Sequence, residues 1–399
     1  MTLQRTHIAG ANSERTKAHN RRVVLGYVQR SAGAGRAEIA KSCGLSTQAV
    51  SNLIAELETE GLVVSGGRRR AARGQPPVVY TFNPDGAAAL GFEVRPDALV
   101  MVMTNLGGGE LFTRQVPLTS TTPATVFALM TDLARDAKVA APVPRIIGAG
   151  LVIPGPFGVE GLSAAGATVL PEWNPLDAAA GAAQALGMPV MLEKDATAAA
   201  IGERLAGVAH QLDSYCYLYF GTGLGLGVIA HGLAQRGAFG NAGEIGHVIV
   251  RPGGLACDCH NHGCLEQYVS RMALQRYLAA RGLIAPGDAP DSVALALLAA
   301  NDAGLAAWLA EAAAALSQAV GLLENLFDPQ AVILGGALPD AILDDLVRRL
   351  DLPAGSVARR TGRVLPRVLR GASGPTTAAL GAAALVIHDT MTPRLDPAP

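Results

Sequence analysis

Aromatic side chains make up only 4% of this 399-residue chain. That scarcity argues against an activity built on stacking the bases of single-stranded nucleic acid on rings. No run of about 18 uncharged apolar residues occurs, so the sequence predicts no membrane span and no membrane partner. The opening segment MTLQRTHIAGANSERTK lacks an apolar signal core, which predicts a cytoplasmic protein. Cysteine is sparse as well, but three of the five lie within Cys257–Cys264. That crowding suggests a metal rather than a disulfide framework.

The formal net charge is only −1 and hides a division. The first 80 residues carry 12 Lys or Arg against 5 Asp or Glu, and the remainder carry 20 against 28. A basic head on an acidic body predicts that the head alone meets nucleic acid. The length predicts two or three domains. An apolar content of 50% suits a large α/β core.

Helical spacing of Val23, Val24, Tyr27 and Val28 predicts a helix from Lys17 to Arg30. RAEIAKSC predicts a short second helix stopped at Gly44. A third begins after Ser46, a good N-cap, carries Val50, Leu53, Ile54 and Leu57 on one stripe, and stops at Gly61. Short strands at 62–65 and 78–82 flank the loop GGRRRAARGQPP. The order predicts a winged helix-turn-helix. Thr47, Gln48, Ser51 and Asn52 would occupy the exposed start of the recognition helix, where Gln and Asn can bond adenine. Arg68, Arg69, Arg70 and Arg73 of the wing would meet phosphates or the minor groove. The expected partner is double-stranded DNA with a palindromic site, read by a homo-oligomer, dimer or tetramer.

Beyond Asn83-Pro84-Asp85-Gly86, which reads as a linker, apolar strands alternate with Ala-rich helices. Strands are expected at GFEV, LVMVMT, IIGAGLVI, VMLEK, YLYFGTG, GVIA and AVILGG, and helices at Pro123–Ala137, Ala196–Leu205 and Ala306–Leu326. This predicts βαβ units. The expected division is a disordered segment over 1–16, the head over 17–83, the body over 84–390 and a disordered tail over 391–399.

In CDCHNHGCLE the thiols of Cys257, Cys259 and Cys264 favour tetrahedral Zn²⁺, with His247, His260 or His262 as fourth ligand. The preceding GAFGNAGEIGHVIV sets Glu244 three residues before His247. Taken alone, Asp195 and Glu266 read as helix N-terminal acids, and Cys43 and Cys216 as core cysteines.

Those motifs, together with LVIPGPFG, EKDATAAAIGE, FGTGLGLG and AVILGGAL, resemble the ROK family of repressors and sugar kinases over about residues 17–388. In the head, NRRVVL, RAEIA, GLS, VS and GLV follow the order of the family's regulator branch. The resemblance implies an actin-like, ribonuclease-H-like body of two lobes, roughly 84–200 plus 375–390 and 201–374, around a sugar cleft. It implies structural zinc on His247, Cys257, Cys259 and Cys264, and a sugar or sugar-derivative site with Asp195, Glu244, His247 and Glu266. In the family's kinases the residue matching Asp195 is the general base.

Three departures stand out. Arg95-Pro96-Asp97 replaces the first glycine phosphate turn of the kinases, although Glu93 keeps an acidic place before it. Pro96 offers no N–H to a phosphate, so ATP is not expected as a cofactor and Asp195 is expected as a relic base. Lys194 stands where the family has Asn. It either favours a carboxylate- or phosphate-bearing ligand or pairs with Glu193 or Asp195. His260 replaces a glycine of the cysteine motif. The leading expectation is a sugar-responsive transcriptional regulator, a repressor without catalysis. The rivals are an active ATP-dependent sugar kinase, favoured by Asp195 and the Gly221-Thr222-Gly223 turn, and a zinc scaffold that binds DNA constitutively.

Overall fold

A computed structural model describes residues 13–68, 78–159, 170, 172–173, 175–285 and 288–392. The head comprises α1 (Ser13–Arg30), β1 (Ala34–Gly35), α2 (Arg36–Cys43), α3 (Thr47–Thr59), β2 (Val63–Arg68) and β3 (Val78–Phe82), with antiparallel sheet order β1-β3-β2. The Ser46 side chain accepts from the Ala49 N–H and caps α3, which buries Val50, Leu53, Ile54 and Leu57 on one stripe. Lys17 Nζ lies 2.7 Å from Glu56 Oε1 and Arg21 Nη2 2.7 Å from Glu60 Oε2, so α1 is pinned along α3. Residues 13–16, expected to be disordered, therefore belong to a packed helix. Residues 1–12 and 393–399 lie outside the described residues.

The body's first sheet comes from β4 (Ala88–Val94), β5 (Ala98–Asn105), β6 (Glu110–Pro117), β7 (Ile146–Ile153) and β8 (Val190–Lys194), with α4 (Pro123–Ala140) and α5 (Pro175–Leu186) between them. Its order is β6-β5-β4-β7-β8, and β4, β7 and β8 run parallel. After α6 (Asp195–Ala206) come β9 (Tyr215–Phe220), β10 (Leu224–Ala230), β11 (Leu233–Ala234), α7 (Arg271–Ala280), α8 (Pro290–Ala299), α9 (Ala303–Phe327), β12 (Ala331–Gly336), α10 (Asp340–Arg349), β13 (Val368–Ser373) and α11 (Thr377–Met391). The second sheet has the order β11-β10-β9-β12-β13. By length and composition α9 is long and apolar enough to cross a membrane, but most of it is buried in the second core.

Two helices join the sheets. α11 lies on β4, β5 and β7, α6 lies on β9 and β10, and the helices pack on each other. The approach of α11 needs glycine beneath it. A Cβ on Gly91 would sit 2.0 Å from the Ala379 carbonyl oxygen, and one on Gly150 1.9 Å from that of Ala382. The lobe boundary expected near residue 200 falls inside α6, which belongs with the second sheet from Asp195 onward.

The expected linker is a packed joint. Pro84–Gly86 forms a 3-10 turn with Gly86 buried. Asn83 Nδ2 donates to the Gly61 carbonyl at 2.8 Å, and Leu106 N donates to the Pro84 carbonyl at 2.8 Å. Val24, Leu25 and Val28 of α1 share one buried cluster with Ala89 and Val102 of the sheet and with Ala383, Ile387 and Met391 of α11. Met391, expected in the disordered tail, is thus part of the core that joins head to body.

Candidate ligand cleft and metal centre

The four residues of the expected metal set converge. The ligand atoms of His247, Cys257, Cys259 and Cys264 all lie within 4.8 Å of one another. His247 sits in a 3-10 turn (Ile245–His247), and Cys264 is held against Ile249 by a β-bridge. His247 Nδ1 is 3.6 Å from Cys257 Sγ, and Cys259 Sγ is 3.5 Å from Cys264 Sγ. With Zn–S bonds of about 2.3 Å, tetrahedral zinc suits such a cage. The electrostatics agree. Burial pushes the Cys257 thiol up and the Cys264 thiol up to about 11, whereas Cys259 is brought below its ordinary value against its burial by hydrogen bonds from Asn261, Cys264 and Cys257. A divalent cation bound there would favour the thiolate form of all three. His260 takes φ +66°, which accounts for a glycine being the ordinary choice at that position.

Glu266 links this centre to the Gly221–Gly223 turn. Its Oε1 accepts from Cys257 Sγ at 3.2 Å and lies 3.6 Å from His247 Nδ1. A Cβ on Gly223 would lie 3.0 Å from Glu266 Oε2, and one on Gly221 3.5 Å from Asp195 Oδ2. The turn Gly221–Gly223 between β9 and β10 therefore runs between the two carboxylates. Asp195 Oδ1 accepts from its own helix, Ala196 N at 2.7 Å. Burial raises its carboxyl to about 6, with Glu93 and Glu244 adding repulsion and the Ala196 N–H and Lys194 opposing. A poised, buried carboxyl of this kind suits hydrogen bonding to a hydroxyl.

Lys194 pairs with neither Glu193 nor Asp195. Its side chain is 5% exposed, and Nζ donates to Glu244 Oε1 at 2.7 Å and to the Ala242 carbonyl at 2.8 Å. Glu193 instead accepts from Arg236 Nε at 2.6 Å. Asn241 donates to the Phe157 carbonyl and accepts from the Phe157 N–H. All three contacts tie the first lobe to the loop before His247. Arg236, Asn241 and Ala242 carried no signal in the sequence, because their partners lie 43–84 residues away.

The Arg95-Pro96-Asp97 turn, which stands where the resemblance expects a phosphate turn in kinases, is closed by side-chain contacts. Arg95 donates to both oxygens of Glu93, at 2.9 and 2.7 Å, and to the Pro375 carbonyl. Its N–H bonds the Ala98 carbonyl in a tight β4–β5 turn. Burial pushes the Glu93 carboxyl up against the pull of Arg95.

In the head, Thr47, Gln48 and Asn52 are exposed and Ser51 is half-buried. Gln48 Nε2 donates to Asn52 Oδ1 at 3.0 Å. The Arg68 backbone ends β2, while Arg69, Arg70 and Arg73 lie outside the described residues.

Comparison with known proteins places both halves. The ROK family model matches residues 93–389, and the MarR family model matches residues 22–74. The chain is 27% identical over 376 residues to a xylose repressor of Bacillus subtilis, covering 93% of this chain and 95% of that one. It is 38% identical over 169 residues to a glucokinase of Streptomyces coelicolor, covering 39% and 53%. Its fold matches the structure of a ROK family transcriptional regulator, a homolog of the E. coli MLC protein, with TM-score 0.74, 22% identity and coverage of 94% and 98%. A Streptomyces griseus ROK glucokinase solved with glucose and AMPPNP matches with TM-score 0.59, 27% identity and coverage of 75% and 98%. With the second sheet, most of the first and the cysteine cluster inside the matched span, the chain belongs to the ROK family and carries a MarR-type winged helix at its front.

Proposed function

We propose that this protein is a DNA-binding transcriptional repressor whose ROK cleft senses a sugar or sugar derivative and does not phosphorylate it. The observation that carries the reading is the shared core of the head and α11, because α11 also forms the floor of the ligand lobe. A ligand that favours one lobe arrangement acts on the head only if the two are mechanically joined. Asp195, Glu244, His247 and Glu266 would hold ligand hydroxyls, with Lys194 acting on Glu244. His247, Cys257, Cys259 and Cys264 would hold one zinc ion that fixes His247 and Glu266 in place. Thr47, Gln48, Ser51 and Asn52 would read bases, and Arg68, Arg69, Arg70 and Arg73 would meet the backbone, in a cytoplasmic homo-oligomer on a palindromic site. The head runs from α1 to residue 83 and the sensing body from residue 84 to the end of α11 in this reading.

A kinase is the second reading. Asp195 beside the Gly221–Gly223 turn favours it, and so does the similarity to glucokinases. The Arg95–Glu93 closure weighs against it, since that turn presents a guanidinium paired internally where a kinase presents free backbone N–H groups.

The experiment selects a DNA site from a random library, measures affinity by fluorescence anisotropy, and repeats it with a panel of pentoses, hexoses and their derivatives. A change in DNA affinity of about tenfold or more with one sugar is expected. Tight DNA binding that no member alters would favour the constitutive scaffold instead.

A further inference from the structure

Glu193, Lys194 and Asp195 are consecutive, yet each is directed to a different partner: Arg236, Glu244 and the Ala196 N–H. The lysine is the longest reach of the three. Its stem runs beneath Gly155, where a Cβ would come within 2.6 Å of Lys194 Cδ. Its ammonium spends two of three N–H groups, on Glu244 and on the Ala242 carbonyl. Glu244 is 35% exposed, so one of its oxygens is held by the lysine while the carboxylate still borders the cleft.

The remaining charges decide what this pair means for a ligand. Glu93 is matched by Arg95, and Lys194 by Glu244. Among the described residues Asp195 is in no ion pair and feels Lys194 only at longer range, and Glu266 has the imidazole of His247 3.6 Å away. An anionic ligand entering here would face two carboxylates. To gain the ammonium it would have to displace Glu244, leaving that carboxylate uncompensated beside Asp195. A neutral polyol meets neither obstacle, because carboxylates accept from its hydroxyls.

We propose that the Lys194–Glu244 ion pair sets the specificity of the cleft: Glu244 withholds the Lys194 ammonium from anionic ligands, so that the cleft takes an uncharged polyhydroxy ligand and rejects sugar acids and sugar phosphates. The proposal rests on the reading of the cleft as a sugar site. It replaces the sequence expectation in which the ammonium attracts a carboxylate or phosphate.

The test titrates D-xylose, D-glucose, D-gluconate and glucose 6-phosphate into the full-length protein by calorimetry, with Glu244→Gln and Lys194→Asn alongside. The wild type should bind a neutral sugar at least about tenfold more tightly than either anion. Glu244→Gln frees the ammonium and should move the preference towards gluconate by about tenfold or more. Lys194→Asn should keep the rejection of anions. A pair that only supports the fold would weaken all four ligands alike in both variants, and that result overturns the proposal. So does a wild type that prefers an anion. Absence of binding by all four ligands to all three proteins would instead remove the sugar-site reading itself, and the proposal with it. Thermal unfolding of each variant shows whether it is folded. If Glu244→Gln is not, Glu244→Ala takes its place and must shift the preference towards gluconate in the same sense.

Discussion

Gln48 donates its side-chain amide to Asn52 Oδ1 at 3.0 Å, one turn apart on the exposed face of α3. Each amide therefore fixes the other's orientation and leaves its remaining donors and acceptors turned outward. Asn52→Ala should cost about 1–3 kcal/mol on the selected DNA site and little on random DNA. Gln48→Ala should cost a similar amount, and the double variant less than the sum, since the two act as a unit. Equal losses on both kinds of DNA in an anisotropy assay would rule out base reading.

Metal removal should loosen the cleft. Cys259→Ser takes one ligand from a set gathered within 4.8 Å. It should lose zinc by metal analysis and on the order of 3 kcal/mol or more of stability. Neutral-sugar affinity should fall with it, because Glu266 touches both Cys257 and Gly223. Full-length protein purified without chelators and found free of zinc would contradict the metal assignment.

Asp195 supplies a pH dependence with a definite sign. Its carboxyl titrates near 6 in the fold against an ordinary 3.8, so the folded state holds the proton more tightly than the unfolded one. Its contribution to stability is therefore complete below about pH 3.8 and is lost as pH rises through 6. Asp195→Asn should melt higher than the wild type at pH 7.5, with the gain shrinking towards pH 4. A difference in melting temperature that does not change with pH would dismiss this account.

Catalysis should be absent. With Mg-ATP and a bound neutral sugar, formation of sugar phosphate should stay far below about 1 per second. Turnover at that rate, abolished by Asp195→Ala, would establish the kinase. The physical ground is Arg95, whose guanidinium is engaged by Glu93 and Pro375.

The joint between head and body is testable at Gly26, where a Cβ would lie 2.9 Å from the Met391 carbonyl oxygen. Gly26→Val should cost about 1–3 kcal/mol through overpacking and weaken the effect of ligand on DNA binding more than either binding event alone. Unchanged coupling would show that the signal takes another route.

Local features were legible in the sequence and long-range ones were not. The stripe Val50, Leu53, Ile54 and Leu57 is buried as its spacing predicts, because a helix period is a local property. Strands at Ile146–Ile153, Val190–Lys194 and Ala331–Gly336 were read to the residue from their apolar runs. β6 escaped notice because ELFTRQVP is a largely exposed edge strand without an apolar run. The thiols of Cys257, Cys259 and Cys264 were legible by density alone, while the choice of His247 came from the family pattern. The sequence leaves Lys194 between an anionic ligand and a pairing with Glu193 or Asp195, because only near neighbours in sequence are weighed as partners, and Glu244 arrives from the other lobe. Pro84-Asp85-Gly86 has the chemistry of a turn, and turn chemistry says nothing about what packs on it.

The union of α1 with α11 also has a consequence in time. The helices of the head span residues 13–59, whereas α11 spans Thr377–Met391, so a ribosome finishes the first long before it reaches the second. At roughly 5–20 residues per second the interval is tens of seconds. During it, Val24, Leu25 and Val28 lack the side chains that complete their cluster. A nascent or prematurely terminated chain thus carries an unfinished reading head. The cluster on which the head rests is therefore closed only after the whole body has been made.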